Sequence, residues 1–121
     1  MINDLTKYKR VFAFGCSFTL YCCPTWADLL FMEMPNCEHY NFGQGGAGNT
    51  LIGNRIVQAN LKYKFCETDL VLVLYTSPLR EDRWIAGRWH CHGNVFNQGF
   101  YNENFVKNYC CLLYTSDAAD D

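Results

Sequence analysis

Long apolar runs, prolines and an excess of charge of either sign are all scarce in this sequence. No apolar run approaches the roughly 20 residues of a membrane-spanning helix, so we predict no membrane span. The 121 residues include ten basic and twelve acidic ones, and no nucleic-acid partner is predicted. The first residues carry no apolar signal region, which favours a cytoplasmic location.

The eight cysteines show neither a Cys-x-x-Cys motif nor the context of a disulfide framework. Two pairs are adjacent in the sequence, Cys22 with Cys23 and Cys110 with Cys111. Without an export signal we expect reduced thiols. The segment Trp89-His90-Cys91-His92 resembles part of a metal site. No second group of residues with the spacing of metal ligands occurs elsewhere in the sequence to complete it. We therefore predict neither a metal nor a cofactor.

Hydrophobic residues make up half of the chain and aromatic residues 17%, which is typical of one small globular domain. The predicted elements in chain order are a strand at 11–14, a helix at 24–34, a strand at 38–42, a helix at 49–64 and a strand at 69–75. This order predicts parallel strands in a layered α/β domain, with strand order 2-1-3. The third strand is apolar throughout, so we expect it to be central and covered on both faces.

The pattern weakens beyond Pro78. We predict a helix or loop at 79–84, a polar-aromatic loop at 89–99 and a short helix at 102–109. The charged run at 80–83 could line a cleft or form a solvated face. The last eleven residues, 111–121, break from the preceding composition and resemble the translation of a sequencing-library adaptor. We set them apart from a domain at 1–110 and expect the native reading frame to continue; the alternative is a genuine polar tail.

A tight turn, Gly15-Cys16-Ser17, follows the first predicted strand. In an open α/β sheet, ligands bind at the carboxyl ends of the strands, where Ser17 would lie. The alternative is a serine that caps a neighbouring amide. Cys16 lacks a nearby cationic partner in the sequence, so we expect a packed thiol there.

The densest glycine segment, residues 43–49, has three interpretations. Gly43, Gly45 and Gly48 fit the dinucleotide-binding pattern G-x-G-x-x-G. Its acidic partner would be Asp69, which begins its strand although the ribose-binding acid belongs at the end of one. The segment could also be a turn shaped by packing alone, or it could join Ser17 in one site.

The last interpretation rests on a resemblance to the SGNH hydrolase family, also called GDSL-type esterases and lipases. Gly15-Cys16-Ser17 is similar to the family's first block, in the Gly-Cys-Ser form of phage and environmental members, and residues 41–46 are similar to its second. The resemblance implies a three-layer, flavodoxin-like α/β domain of which this chain is the amino-terminal part. It also implies that Ser17 is the nucleophile and that the N–H groups of Ser17 and Gly46 form the oxyanion hole.

Two departures from the family pattern affect the functional prediction. The third block normally supplies an asparagine, but here the sequence is Tyr75-Thr76-Ser77-Pro78. Ser77, or as a second choice Thr76, would be the replacement donor; the alternative is that either caps the next turn. The fifth block, Asp-x-x-His, does not occur in these 121 residues, and we expect negligible turnover. The predicted function is a serine ester hydrolase acting on a small-molecule, carbohydrate or lipid ester. The alternative is a non-catalytic binding or structural module on the same fold.

Overall fold

The structure is a computed structural model that describes residues 4–120, with side chains up to residue 113. The elements in chain order are β1 (Arg10–Phe14), α1 (Trp26–Met32), β2 (Glu38–Asn41), α2 (Asn49–Tyr63), β3 (Asp69–Val73), β4 (Arg80–Ile85), β5 (Arg88–Asn94) and α3 (Glu103–Asp120). The chain is thus a small mixed α/β fold. The first five elements confirm the predicted alternation of strands and helices.

Strands β1, β2 and β3 form a parallel sheet in the order β2-β1-β3, as predicted. Phe12 of β1 lies opposite Tyr40 on one side and Val71 on the other. The prediction that the third strand is central is wrong, because β3 is an edge strand and most of its residues are only half-buried. The central position belongs to β1, whose last four residues are fully buried.

Helices α1 and α2 cover opposite faces of this sheet because side chains of β1 alternate between two apolar clusters. Phe12 and Phe14 pack with Leu51 and Ile52 of α2. Val11 points the other way and packs with Leu30 and other residues in and just after α1. The result is a helix–sheet–helix arrangement around the parallel strands.

Strands β4 and β5 form an antiparallel hairpin that the sequence did not predict. The prediction of a helix or loop is wrong for 80–84, and the prediction of a loop is wrong for 89–94, since both segments are strands; residues 95–99 form turns, as predicted. The two strands are joined at Ala86 and Gly87, which both have positive φ, 52° and 80°. Two positive φ values in a two-residue connection match the right-handed twist of paired strands. The Ala86-Gly87 pair, which lies between Trp84 and Trp89, was the feature of the sequence that could have indicated a hairpin turn.

Helix α3 begins close to the predicted position but continues through Asp120, so it includes residues from the segment set apart above. Tyr109 anchors it to the hairpin, since its hydroxyl donates to the carbonyl oxygen of Pro78 at 2.8 Å. Within the described residues, no helix has both the length and the apolar character needed to cross a bilayer.

An ion pair joins the amino ends of β1 and β3. The Arg10 guanidinium donates two hydrogen bonds of 2.7 Å to the Asp69 carboxylate and a third, at 3.1 Å, to the Tyr63 carbonyl oxygen. The hydrogen bonds from Arg10 hold the pKa of Asp69 below its ordinary value. Asp69 therefore has a structural partner, at the end of the sheet opposite the glycine-rich segment.

This ion pair predicts a specific dependence of stability on pH. The pKa of this carboxyl group is lower in the folded state than in the unfolded state, where it is about 4. The ionised group therefore stabilises the fold at pH values above about 4. That stabilisation is lost as the pH falls through the folded-state pKa. Asp69→Asn should therefore lower the melting temperature at neutral pH, and the difference from the parent should narrow below about pH 4. Thermal melts across pH measure this, with Glu67→Gln as an exposed control. A constant difference at all pH values would contradict the assignment.

Candidate active site

The exits of the three parallel strands meet at one edge of the sheet. Ser17 follows β1, Gly46 follows β2 and Ser77 follows β3. Because the strands are parallel and adjacent, all three segments leave at the same edge. This placement agrees with the expectation that the strand ends share one site.

Three contacts hold the Ser17 turn against the glycine-rich segment. The Asn41 side chain donates to the Thr19 carbonyl oxygen at 2.9 Å and accepts from the Gly43 N–H at 2.9 Å. The backbone adds a bond from the Gln44 N–H to the Gly15 carbonyl oxygen at 3.0 Å. Consequently a side chain on Gly45 would place its Cβ 4.0 Å from the Cβ of Ser17. The structure therefore brings the first two sequence motifs together.

The candidate reacting groups are unpaired in this arrangement. Neither the Ser17 hydroxyl nor the N–H groups of Ser17 and Gly46 form a hydrogen bond with any residue that the structure describes. The alternative of a capping serine thus finds no acceptor or donor here. Gly46 adopts a φ of 78°, a conformation that a residue with a side chain rarely takes. Polar groups left open at a turn are available to a ligand.

Ser77 and Thr76 are tied into the third strand exit. The Ser77 hydroxyl accepts from the Leu79 N–H at 3.1 Å, so it caps the following turn while its own proton stays available. Thr76 is held by Asn49, whose side chain accepts from the Thr76 N–H at 2.8 Å and donates to its carbonyl oxygen at 2.9 Å. Asn49 was not singled out in the sequence, and both ends of its side-chain amide take part in this contact.

The β4–β5 hairpin packs over the glycine-rich segment. The Cys91 thiol lies 3.1 Å from the Gln44 side-chain nitrogen, and a Cβ on Gly46 would lie 2.9 Å from the Cys91 carbonyl oxygen. Burial raises the pKa of the Cys91 thiol. A raised pKa disfavours the nucleophilic thiolate, and the contacts of Cys91 with Gln44 and Gly46 are those of a packing group. Cys16, also considered in the sequence, is buried.

Asp82 of this hairpin occupies the amino end of α2. Its carboxylate accepts from the N–H groups of Gly48 and Leu51, each at 2.8 Å. A solvated charged face is therefore the wrong interpretation for Asp82. These are also the amides that a phosphate would use in a dinucleotide-binding loop, so the geometry disfavours that alternative. No local pattern indicates this contact, since it joins residues 34 positions apart.

None of the three histidines contacts Ser17 in the part of the chain described. His39 lies at the amino end of β2, where its ring is 2.7 Å from the Met34 carbonyl oxygen and stacks on Phe31. His92 stacks on Phe100 and faces His90 at a ring distance of 6.1 Å. Successive side chains of β5 point to opposite faces, so both rings lie on the face opposite to Cys91. The described residues contain no group of three or more metal-ligating side chains.

Comparison of this chain with protein-family models, with curated proteins and with solved structures finds no match.

Proposed function

We propose that this chain carries the nucleophile and part of the oxyanion hole of an SGNH-type serine ester hydrolase. The observation that supports it most is the set of unpaired groups at the contact of two loops: the Ser17 hydroxyl and the N–H groups of Ser17 and Gly46, none with a partner among the described residues. Fixed N–H donors stabilise negative charge that develops on a carbonyl oxygen in the transition state. Ser77 would add a hydroxyl donor from the third strand exit.

The fold proposed with this function is a three-layer, flavodoxin-like domain represented by its amino-terminal part. The parallel order β2-β1-β3, with α1 and α2 on opposite faces, supports it. The substrate would be a small-molecule, carbohydrate or lipid ester. Exposed Phe18 and Tyr75, which follow the first and third strand exits, would flank its acyl group.

The missing element is a general base. Because no histidine contacts Ser17 within the described residues, the hydroxyl keeps its proton and attacks slowly. Loss of a triad histidine costs on the order of 10⁶ in turnover. We therefore expect negligible steady-state ester hydrolysis by this chain.

An alternative function is a non-catalytic binding or structural module on the same fold. The observation that favours it is that no histidine contacts Ser17 among the residues the structure describes, while the Ser77 hydroxyl is already engaged by the Leu79 N–H. In that case the open N–H groups would bind a carbonyl or carboxylate oxygen without reaction.

Acylation of Ser17 in the presence of added imidazole tests the proposed function. Imidazole can act as the missing base, so labelling by a fluorophosphonate probe or an activated acetyl ester should be slow alone and rise with imidazole concentration. Mass spectrometry of the digested protein should locate the adduct on Ser17.

Ser17→Ala is the matched control and should remove the imidazole-dependent adduct. Labelling that persists in Ser17→Ala would assign the nucleophile to another residue. A folded parent protein that never acquires an adduct at Ser17 would favour the binding module.

A further inference from the structure

The loop between Ser17 and α1 carries two exposed thiols, and hydrogen bonds join the two ends of this loop. The Thr19 carbonyl oxygen accepts from the Thr25 hydroxyl at 2.6 Å, which joins the two ends of the loop. The Trp26 indole donates to the Thr19 hydroxyl at 3.1 Å and reinforces this closure. Between these anchors lie Cys22 and Cys23, both exposed.

The two thiols converge although they belong to consecutive residues. Their sulfur atoms are 4.0 Å apart, far beyond a disulfide bond of about 2.05 Å, so both are free thiols. Pro24 restricts the backbone of the residue before it to extended conformations, which limits how far Cys23 can rotate away. The loop therefore holds two soft ligands close together at the surface.

This separation suits one metal ion between two thiolates. Bonds as long as the zinc–sulfur bond, about 2.3 Å, place two thiolates about 3.8 Å apart at a tetrahedral angle and about 4.6 Å apart on opposite sides of the ion. The observed 4.0 Å lies within that range. Zinc in structural sites requires four ligands, but no group of three or more ligating side chains occurs among the described residues. Soft thiolates select Cu(I), zinc and iron–sulfur clusters; the last two need four ligands, so Cu(I) remains.

We propose that Cys22 and Cys23 form a two-thiolate binding site for Cu(I). Both thiols release their protons to solvent as the ion binds, and the resulting complex carries one negative charge. The copper stays monovalent, so no oxidant or reductant takes part. The site is independent of the role proposed for Ser17.

Titration of the reduced, full-length protein with Cu(I) under anaerobic conditions tests this site. Bicinchoninate, a coloured Cu(I) chelator, serves as the competitor and reports the free ion. The parent should hold one Cu(I) that Cys22→Ser and Cys23→Ser each bind at least about 100-fold more weakly, because a single thiolate loses the effective concentration of its neighbour.

The second adjacent pair provides a matched control. Cys110 and Cys111 lie on α3, where consecutive side chains diverge by about 100° around the helix. The double variant Cys110→Ser/Cys111→Ser should keep the tight Cu(I). The proposal would be overturned if either single loop variant bound Cu(I) as tightly as the parent. Loss of the ion in the α3 variant would overturn it as well.

X-ray absorption on the copper-loaded parent gives a readout that needs no variant. Two sulfur neighbours and no further ligand are expected. A copper ion with three or more sulfur or nitrogen neighbours would also overturn the two-thiolate site.

Discussion

Replacing Phe12 with alanine is expected to produce the largest loss of stability of any change considered for this protein. Phe12 is fully buried on the central strand, and its ring lies 4.8 Å from those of both Tyr40 and Phe65. Removing a buried phenylalanine ring costs about 3 to 5 kcal/mol through lost burial and the cavity left behind. That is a large part of the roughly 5 to 15 kcal/mol that stabilises a typical domain.

Urea unfolding followed by circular dichroism measures this loss. The matched control is Phe18→Ala, because that ring is 70% exposed in the loop after β1 and should change the free energy of unfolding by less than about 0.5 kcal/mol. Similar losses in the two variants would mean that β1 is not the centre of the core.

The second large effect is expected from Gly15→Ala at the start of the Ser17 turn. An alanine Cβ there would overlap the Thr19 hydroxyl and lie 2.9 Å from the Thr19 Cβ and 3.1 Å from the Leu74 carbonyl oxygen. Thr19 is fully buried and its hydroxyl holds the Trp26 indole, so it cannot move without loss. We expect a destabilisation of about 3 kcal/mol, at the upper end of the cost of overpacking.

Gly53→Ala gives a control with the opposite sign. Gly53 lies inside α2, and a Cβ there would meet nothing within 4 Å. Alanine is the better helix former by about 1 kcal/mol, so this variant should be more stable than the parent. Chemical unfolding of both variants measures the difference, and a Gly15→Ala protein as stable as the parent would refute the close packing of this turn.

The sequence predicted the first five elements because their signals are local. Residues 49–64 show helical spacing, and α2 occupies Asn49–Tyr63. The position of β3 was not predictable in the same way. Val71 and Leu72 pack against clusters on opposite faces of the sheet, so the strand is apolar throughout although it lies at the edge. The residue composition of a strand indicates whether other elements cover its two faces. It does not indicate whether another strand pairs with each of its edges.

The remaining features depend on contacts between distant residues. Asp82 lies in the charged run at 80–83, so a strand whose carboxylate caps α2 resembled a charged surface segment. Asn49 holds Thr76 across 27 positions, and no local pattern indicates such a pair. Within the candidate site, Ser17 and Gly46 followed from motifs, whereas the supporting contacts did not. The motifs mark backbone turns, and the residues that fix those turns come from other elements.

The Asp82 contact also has a consequence for how the molecule opens. The first N–H groups of a helix have no partner within it, so the first turn normally frays alone. Here Gly48 and Leu51 at that turn are held by a carboxylate on β4. Fraying of α2 and detachment of the hairpin are therefore coupled, and the glycine-rich segment between them stays closed until both occur. The hairpin thus makes the most glycine-dense part of the chain a member of one cooperative unit.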